Sequence, residues 1–286
     1  MDSMIDIIVN PVSGKGAGSK ALQIVEDYLK TQYVEYKVHV LTKSGEGKDV
    51  AAKVCKAGAK TIAVIGGDGT FHEVLNGMDF KHARLGLIPA GRGNDYAVGT
   101  GLSFDPIEAI NKILSGDPVD RDYIQVGNRR CLNVCGTGLD IEVLLLTERY
   151  KTKLSYVKSL AKCLLNYKPY TVSVKVDGVE RMYKCVMAAF CNGSQFGGGI
   201  KVCPPAKNDD GLMDVMIVKE PWCPTICVMP GFVKGHHMKK NFVEHITCES
   251  ARITCIDSNY IELDGEIYED NVMDARIIKG GFKTFK

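Results

Sequence analysis

The chain has 286 residues, of which 45% are hydrophobic and 24% charged, with a formal net charge of +2. That balance is ordinary for a soluble globular protein and leaves no electrostatic footprint for a nucleic-acid partner, while no apolar run approaches the ~20 residues of a membrane-spanning helix. Met1-Asp2-Ser3-Met4 lacks the basic and apolar regions of an export signal, and 11 cysteines, an odd number, read as reduced cytosolic thiols.

Ile5–Val9 is a continuous apolar run of strand length, and Lys20–Leu29 carries helical spacing. Tyr36–Leu41 and Asp49–Lys56 repeat that pair. Thr61–Ile65 and Arg84–Ile88 are further strands, each running into a glycine-bearing loop, with the helix-like Phe71–Leu75 between them. Apolar strands alternating with helices predict a parallel sheet covered on both faces.

The character changes after about Val119. A basic amphipathic helix is expected near Leu154–Leu165, with Leu154, Val157, Leu160, Ala161 and Leu164 at core spacing. Arg149, Lys151, Lys153, Lys158, Lys162 and Lys168 suit either a solvated face or an anionic membrane surface. Thr171–Val176 alternates strictly, turns at Asp177-Gly178 and returns through Met182–Phe190. Val215–Val218, Arg252–Ile256, Tyr260–Leu263 and Ala275–Ile278 are further short strands, a pattern that predicts an antiparallel β-sandwich. The expected fold class is therefore α/β plus β: an N-terminal parallel-sheet α/β domain over residues 1–120, then a C-terminal antiparallel β-sandwich domain with one amphipathic helix over 121–274.

Three polar loops follow predicted parallel strands: Asn10-Pro11-Val12-Ser13-Gly14-Lys15-Gly16, Gly66-Gly67-Asp68-Gly69-Thr70, and Pro89-Ala90-Gly91-Arg92-Gly93-Asn94-Asp95. In open α/β sheets the ligand crevice lies outside those strand ends. Glycines let backbone N–H groups approach a polyphosphate, and a carboxylate among them suits a divalent cation. Taken alone, Gly-Asp-Gly also fits an ordinary tight turn. The first loop is not a P-loop, since Gly18-Ser19-Lys20 stands where Gly-Lys-Ser/Thr is needed, yet its Ser, Gly and Lys suit phosphate.

Asp264-Gly265-Glu266 reads equally as a hairpin turn or as a functional carboxylate pair, because a turn has no need of Glu266. Asn208–Asp214 is an acidic turn, solvated by default or a hard-cation site through Asp210. His236 and His237 beside Lys239 and Lys240 are expected on the surface. The Cys-x3-Cys pairs Cys131/Cys135 and Cys223/Cys227 lack companions at zinc-site spacing and read as buried or incidental thiols.

Taken in order, Asn10-Pro11 with Ser13-Gly14, Gly66–Thr70 with Glu73, Gly91-x-Gly93-Asn94-Asp95, Asp210-Gly211 and Asp264-Gly265-Glu266 resemble the diacylglycerol kinase catalytic-domain family, and within it the soluble bacterial lipid kinases. The resemblance runs nearly end to end. The central pentapeptide is its most specific motif, with a related form in NAD kinases and phosphofructokinases. It implies nucleotide bound between the two domains and a last strand, residues 275–286, returning to the N-terminal domain.

By motif match it implies that Asn10, Pro11, Val12, Ser13, Gly14, Thr42, Gly66, Gly67, Asp68, Gly69, Thr70, Phe71, His72, Glu73 and Arg92 contact ATP. Asp68, Asp264 and Glu266 would be catalytic, with Asp264 or Glu266 the general base. Asp95 and Asp122 would join Asp68 in a water and metal network. A structural Mg²⁺ is implied at the Lys207 and Leu212 carbonyls and the Asp210 side chain. Arg92 departs from the Thr or Ser common at its position, exchanging a hydroxyl for a guanidinium able to meet phosphate.

The expected function is ATP- and Mg²⁺-dependent transfer of the γ-phosphoryl group to a lipid hydroxyl, with diacylglycerol the leading acceptor. The alternatives are an NAD-kinase-like small-molecule kinase and a non-catalytic nucleotide- or lipid-binding regulator. Expected partners are ATP, the lipid and a peripheral membrane surface, without nucleic acid. A cytoplasmic location and a homodimer accompany that reading.

Overall fold

The computed structural model describes residues 4–148, 163, 168–220, 231 and 234–285. The chain forms two compact units, Met1–Asp122 with Lys279–Lys286, and Tyr123–Ile278. Most of the expected amphipathic helix over 154–165, and the Cys223/Cys227 pair, lie outside the described residues. Among the described residues no helix is long and apolar enough to cross a membrane.

The first unit is built on β1 (Ile5–Val9), β2 (Tyr36–Val40), β3 (Thr61–Gly66) and β4 (Arg84–Pro89), all parallel in the order β2-β1-β3-β4. Every residue of β1 is buried, as strands covered on both faces require, whereas edge strand β2 is half-buried. The helices are α1 (Ser13–Thr31), α2 (Gly47–Lys56), α3 (Asp68–Gly77), α4 (Asp95–Thr100) and α5 (Pro106–Ser115). Ala21, Val25 and Leu29 of α1 recur at helical spacing and pack with Ile110 and Ile113 of α5 against Ile7, Val9, Ile65 and Ile88. Asp105 caps α5, its Oδ1 accepting the Ile107 and Glu108 N–H groups at 2.8 and 3.0 Å, and Pro106 follows.

The second unit is antiparallel. Its strands, of which β5 begins and β15 ends in the first unit, are β5 (Pro118–Val126), β6 (Arg129–Cys131), β7 (Val134–Gly138), β8 (Tyr170–Val176), β9 (Val179–Cys191), β10 (Met213–Lys219), β11 (Val243–Cys248), β12 (Ser250–Cys255), β13 (Tyr260–Leu263), β14 (Glu266–Glu269) and β15 (Val272–Phe285). They form one 11-stranded sheet in the order β14-β13-β7-β9-β8-β12-β15-β5-β6, with β10 joining β9 to β11. One core gathers Phe190, Val215, Ile253, Ile261, Leu263 and Met273 from strands spread across that order, so the sheet curls over itself as a half-barrel or sandwich.

The outer face of β9 and β10 is covered as well. Met187, Ala189, Cys191, Met216 and Val218 pack there with Val134, Leu139 and Val143, the last two from α6 (Leu139–Glu148). Burial on both faces explains why Met213–Val218 is apolar almost throughout instead of alternating.

Asp177-Gly178 and Asp264-Gly265 are twin turns. All four residues have positive φ, 49° and 81° in the first and 51° and 90° in the second, the type I′ geometry that suits strand twist. One surface expectation is corrected: His237 is buried, its Nε2 2.7 Å from the Val202 carbonyl, and only His236 is exposed. Two adjacent residues of a short turn face opposite ways, which a polar neighbourhood in the sequence does not reveal.

Candidate active site

The order β2-β1-β3-β4 puts a topological switch between β1 and β3, because the chain leaves β1 toward one edge and β3 toward the other. The loops after β1, β3 and β4 meet there at backbone contact. A Cβ on Gly91 would stand 2.4 Å from the Gly67 Cα, and one on Gly14 would stand 2.4 Å from the Ala90 carbonyl oxygen. Only glycine permits such approaches. Asn10 ties the first two loops, its Nδ2 donating to Thr70 Oγ1 at 3.1 Å.

Gly14, Lys15 and Gly16 have φ of 57°, 62° and 93°, a left-handed stretch within the span of α1. Lysine in that region costs about 1–2 kcal/mol, and such a turn aligns successive N–H groups for an anion. In α3 the first intrahelical bond runs from Phe71 N–H to Gly67 O at 3.0 Å. The Gly69 and Thr70 N–H groups precede it and have no carbonyl partner within the helix.

Asp68 opens α3 and reaches the first turn of α4, just after the third loop, its Oδ1 accepting the Tyr96 N–H at 3.1 Å. Asn94, in the left-handed region, closes that loop: its Oδ1 accepts from Gly91 N–H at 2.9 Å and its Nδ2 donates to Gly91 O at 3.1 Å. Asp95 is buried beside it and Arg92 is exposed. Asp122 is buried and accepts the Gly280 N–H at 2.7 Å, while Asp120 pairs on the surface with Lys283.

Other positions matched to nucleotide also make contacts within the unit. The Glu73 carboxylate accepts the Gly45 and Gly47 N–H groups, each at 2.8 Å. The Thr42 amide and hydroxyl both donate to Glu46, which holds that carboxyl below its usual pKa. Phe71 and His72 are buried, with Phe71 against Tyr96 at 5.0 Å between ring centroids, so their side chains build the core of the unit.

In the second unit the Asp264 turn differs from its twin in what surrounds the carboxylate. Its Oδ2 accepts the Leu132 N–H at 2.7 Å, and its Oδ1 accepts the Asn133 and Val134 N–H groups at 2.8 and 3.4 Å and the Cys131 thiol at 3.3 Å. The Asp264 N–H in turn donates to Val134 O at 2.9 Å. Asn192 pins the same segment through Leu132 O at 2.7 Å. Asp264 is thus a rigidly positioned half-buried carboxylate, whereas Glu266, which opens β14, is exposed.

Two buried carboxyls lie beneath that turn. Glu262 stands opposite Gly136 across β13 and β7, and Asp140 Oδ2 sits 2.9 Å from where a Gly136 Cβ would be. Glycine at 136 leaves them room. Burial, reinforced by the charge of Asp140, raises the Glu262 pKa well above its usual range. Burial also raises Asp140 to about 7, against the pull of the Asp140 and Ile141 N–H groups.

These two carboxyls therefore bind more protons in the folded state than in the unfolded chain between about pH 4 and 7, and their contribution to stability is lost as pH rises through that window. Asp140→Asn is expected to flatten the decline, with a urea midpoint at pH 8 above that of the parent chain and a similar midpoint at pH 5. A parent midpoint that rises from pH 5 to pH 8 would refute this sign.

The comparisons with known proteins match this architecture. The family model of the diacylglycerol kinase catalytic domain covers residues 5–126, and that of the YegS C-terminal NAD kinase beta sandwich-like domain covers residues 133–281. The chain belongs to the diacylglycerol kinase catalytic-domain family. A Bacillus subtilis protein named diacylglycerol kinase is 27% identical over 270 residues, 91% of this chain and 88% of that one. A "Probable lipid kinase YegS-like" of Chromohalobacter salexigens is 32% identical over 190 residues, 64% of this chain and 61% of that protein. A diacylglycerol kinase structure from Bacillus anthracis superposes with a TM-score of 0.80 at 22% identity, covering 99% of this chain and 96% of the other, and so shares the fold.

Within this kinase family, the metal positions are read against donor chemistry. Among the described residues no three carboxylates bring oxygens within 4.8 Å of one another. Asp210 is exposed and closes an Asx turn, its Oδ1 accepting the Leu212 N–H at 3.0 Å, with Gly211 at φ 79°. Sequence reasoning missed the amides of Leu132–Val134 that grip Asp264, and backbone donors leave no mark on residue type.

Proposed function

We propose that this chain is an ATP-dependent lipid kinase that transfers the γ-phosphoryl group to a lipid hydroxyl, with diacylglycerol the first acceptor to try. The observation that carries this is the backbone-to-backbone meeting of the Gly14, Gly67 and Gly91 loops at the sheet's switch point, with Asp68 of the second loop tied to the first turn of α4. Phosphoryl transfer asks for positioning and charge neutralisation more than covalent help. The amides of the left-handed stretch at 14–16 and of Gly69 and Thr70 would bind phosphate oxygens, and Lys15 and Arg92 would add cationic charge.

Bound Mg²⁺ would neutralise phosphate charge, with Asp68 holding it and Asp95 and Asp122 ordering the water around it. Asp264 would accept the lipid hydroxyl proton. Its fixed orientation suits a reaction whose base mainly aims the nucleophile, and Glu266 would supply the second carboxylate. Asp210, with the Lys207 and Leu212 carbonyls, would hold a structural hard cation. A protein of this kind would visit the membrane peripherally from the cytoplasm and could pair as a homodimer.

Purified chain, Mg²⁺-ATP and a panel of diacylglycerol, phosphatidylglycerol, sphingoid base and undecaprenol test the reading, with products identified by mass. A phosphorylated lipid is expected. ATP binding with no lipid product would favour a non-catalytic regulator instead.

A further inference from the structure

Cys203, Asp214 and His245 lie in the second unit, on strands and a crossover that carry none of the residues assigned above to phosphoryl transfer. Among the described residues they form the one set of three potential ligands whose donor atoms all fall within 4.8 Å of one another. We propose that Cys203, Asp214 and His245 form a binding site for a thiophilic divalent cation of the zinc class.

The sheet builds most of it. Asp214 on β10 pairs with Thr247 of β11 while Met216 pairs with His245, so Asp214 and His245 are diagonal neighbours on one face. Their side chains meet, with His245 Nε2 2.5 Å from Asp214 Oδ1. Cys203 descends onto the same face from the crossover between β9 and β10, anchored by its N–H to Ser194 O at 3.1 Å and by its carbonyl to Ala206 N–H at 3.0 Å. Cys191, directly across from Asp214 on β9, is buried in the same cluster as Cys203. A fourth tetrahedral position is therefore open to Cys191 or to solvent.

The donor chemistry selects the metal. Thiolate, imidazole and one carboxylate are borderline-soft ligands that suit Zn²⁺ and are a poor set for Mg²⁺ or Ca²⁺. Zinc bond lengths put tetrahedral ligand atoms ~3.3–3.8 Å apart, within small side-chain rotations of the observed cluster. Asp214 and Cys203 are buried while the His245 side chain keeps 31% of its surface, which gives an entry path.

The test uses the full chain, reduced, stripped with chelator and titrated with Co²⁺. A near-ultraviolet thiolate-to-cobalt band with tetrahedral d–d absorption is expected at one equivalent, bleached by one equivalent of Zn²⁺. Cys203→Ser and His245→Gln are each expected to weaken Zn²⁺ binding by about 100-fold or more, since even outer-shell partners are worth 10–100-fold. Cys185→Ser, on the opposite face, is expected to keep the spectrum. Reduced parent chain without the thiolate band, or variants that bind as the parent does, would overturn the site. So would a Cys191–Cys203 disulfide forming in air in a chain that takes up no metal. The parent spectrum decides even where a variant fails to fold, and no arm depends on kinase turnover.

Discussion

Asp68→Asn is expected to lower phosphoryl transfer about 1,000-fold while the chain stays folded, the scale for losing one preorganised electrostatic group. Asn keeps an oxygen to accept the Tyr96 N–H, a contact of 3.1 Å that joins α3 to the first turn of α4. It loses the charge that would hold Mg²⁺. Alanine would remove both and confound a structural defect with a chemical one. The expected signature is a collapse of kcat, an unfolding free energy within about 1 kcal/mol of the parent, and weakened Mg²⁺ dependence. Parental turnover in Asp68→Asn would remove this residue from the reaction, and with it the central loop's assigned role.

Asp264 carries the second large effect, on stability as well as on rate. Ala at 264 would leave the Leu132, Asn133 and Val134 N–H groups without their acceptor, and partly buried donors cost about 1–3 kcal/mol each when unpaired. It would also place a side chain with no local hydrogen bond at φ 51°. Asn tolerates that φ but turns an amide NH₂ against N–H donors, so it too is expected to lose stability, by less.

Glu266→Gln sits exposed and is expected to change stability by less than about 0.5 kcal/mol. If Asp264 takes the hydroxyl proton, Asp264→Asn loses roughly 10²–10⁴-fold in kcat at temperatures where it is folded, well beyond Glu266→Gln. The reverse order of kcat losses would move the base to Glu266.

The α/β plus antiparallel architecture was legible because its signals are periodic. Continuous apolar runs at Ile5–Val9 and Thr61–Ile65, and strict alternation at Thr171–Val176, are direct consequences of two-sided and one-sided burial. Helix limits were less legible. Lys20–Leu29 is the apolar-periodic middle of α1, whose first turn is glycine-rich and left-handed and so carries no helical pattern. The short α4 has too few residues to show a period.

At the site, glycines were readable where backbone meets backbone, as at Gly67 and Gly91. Residue type did not show that Glu73 binds the Gly45 and Gly47 amides. Nor could it separate the two Asp-Gly turns, whose φ values nearly coincide and whose carboxylates differ only in what folds against them. The Cys203, Asp214 and His245 cluster was invisible for the same reason: its members come from a crossover and two strands, with no spacing in the chain to betray them.

The measurement that bears most directly on the central claim is the fate of label from [γ-³²P]ATP when the purified chain is offered diacylglycerol vesicles and NAD⁺ in the same Mg²⁺-containing reaction. Label is expected in the organic phase as phosphatidic acid, dependent on Asp68 and absent from the nucleotide fraction beyond ATP itself. Label in a phosphorylated dinucleotide, or none in any lipid when the other hydroxyl lipids are substituted for diacylglycerol, would contradict it.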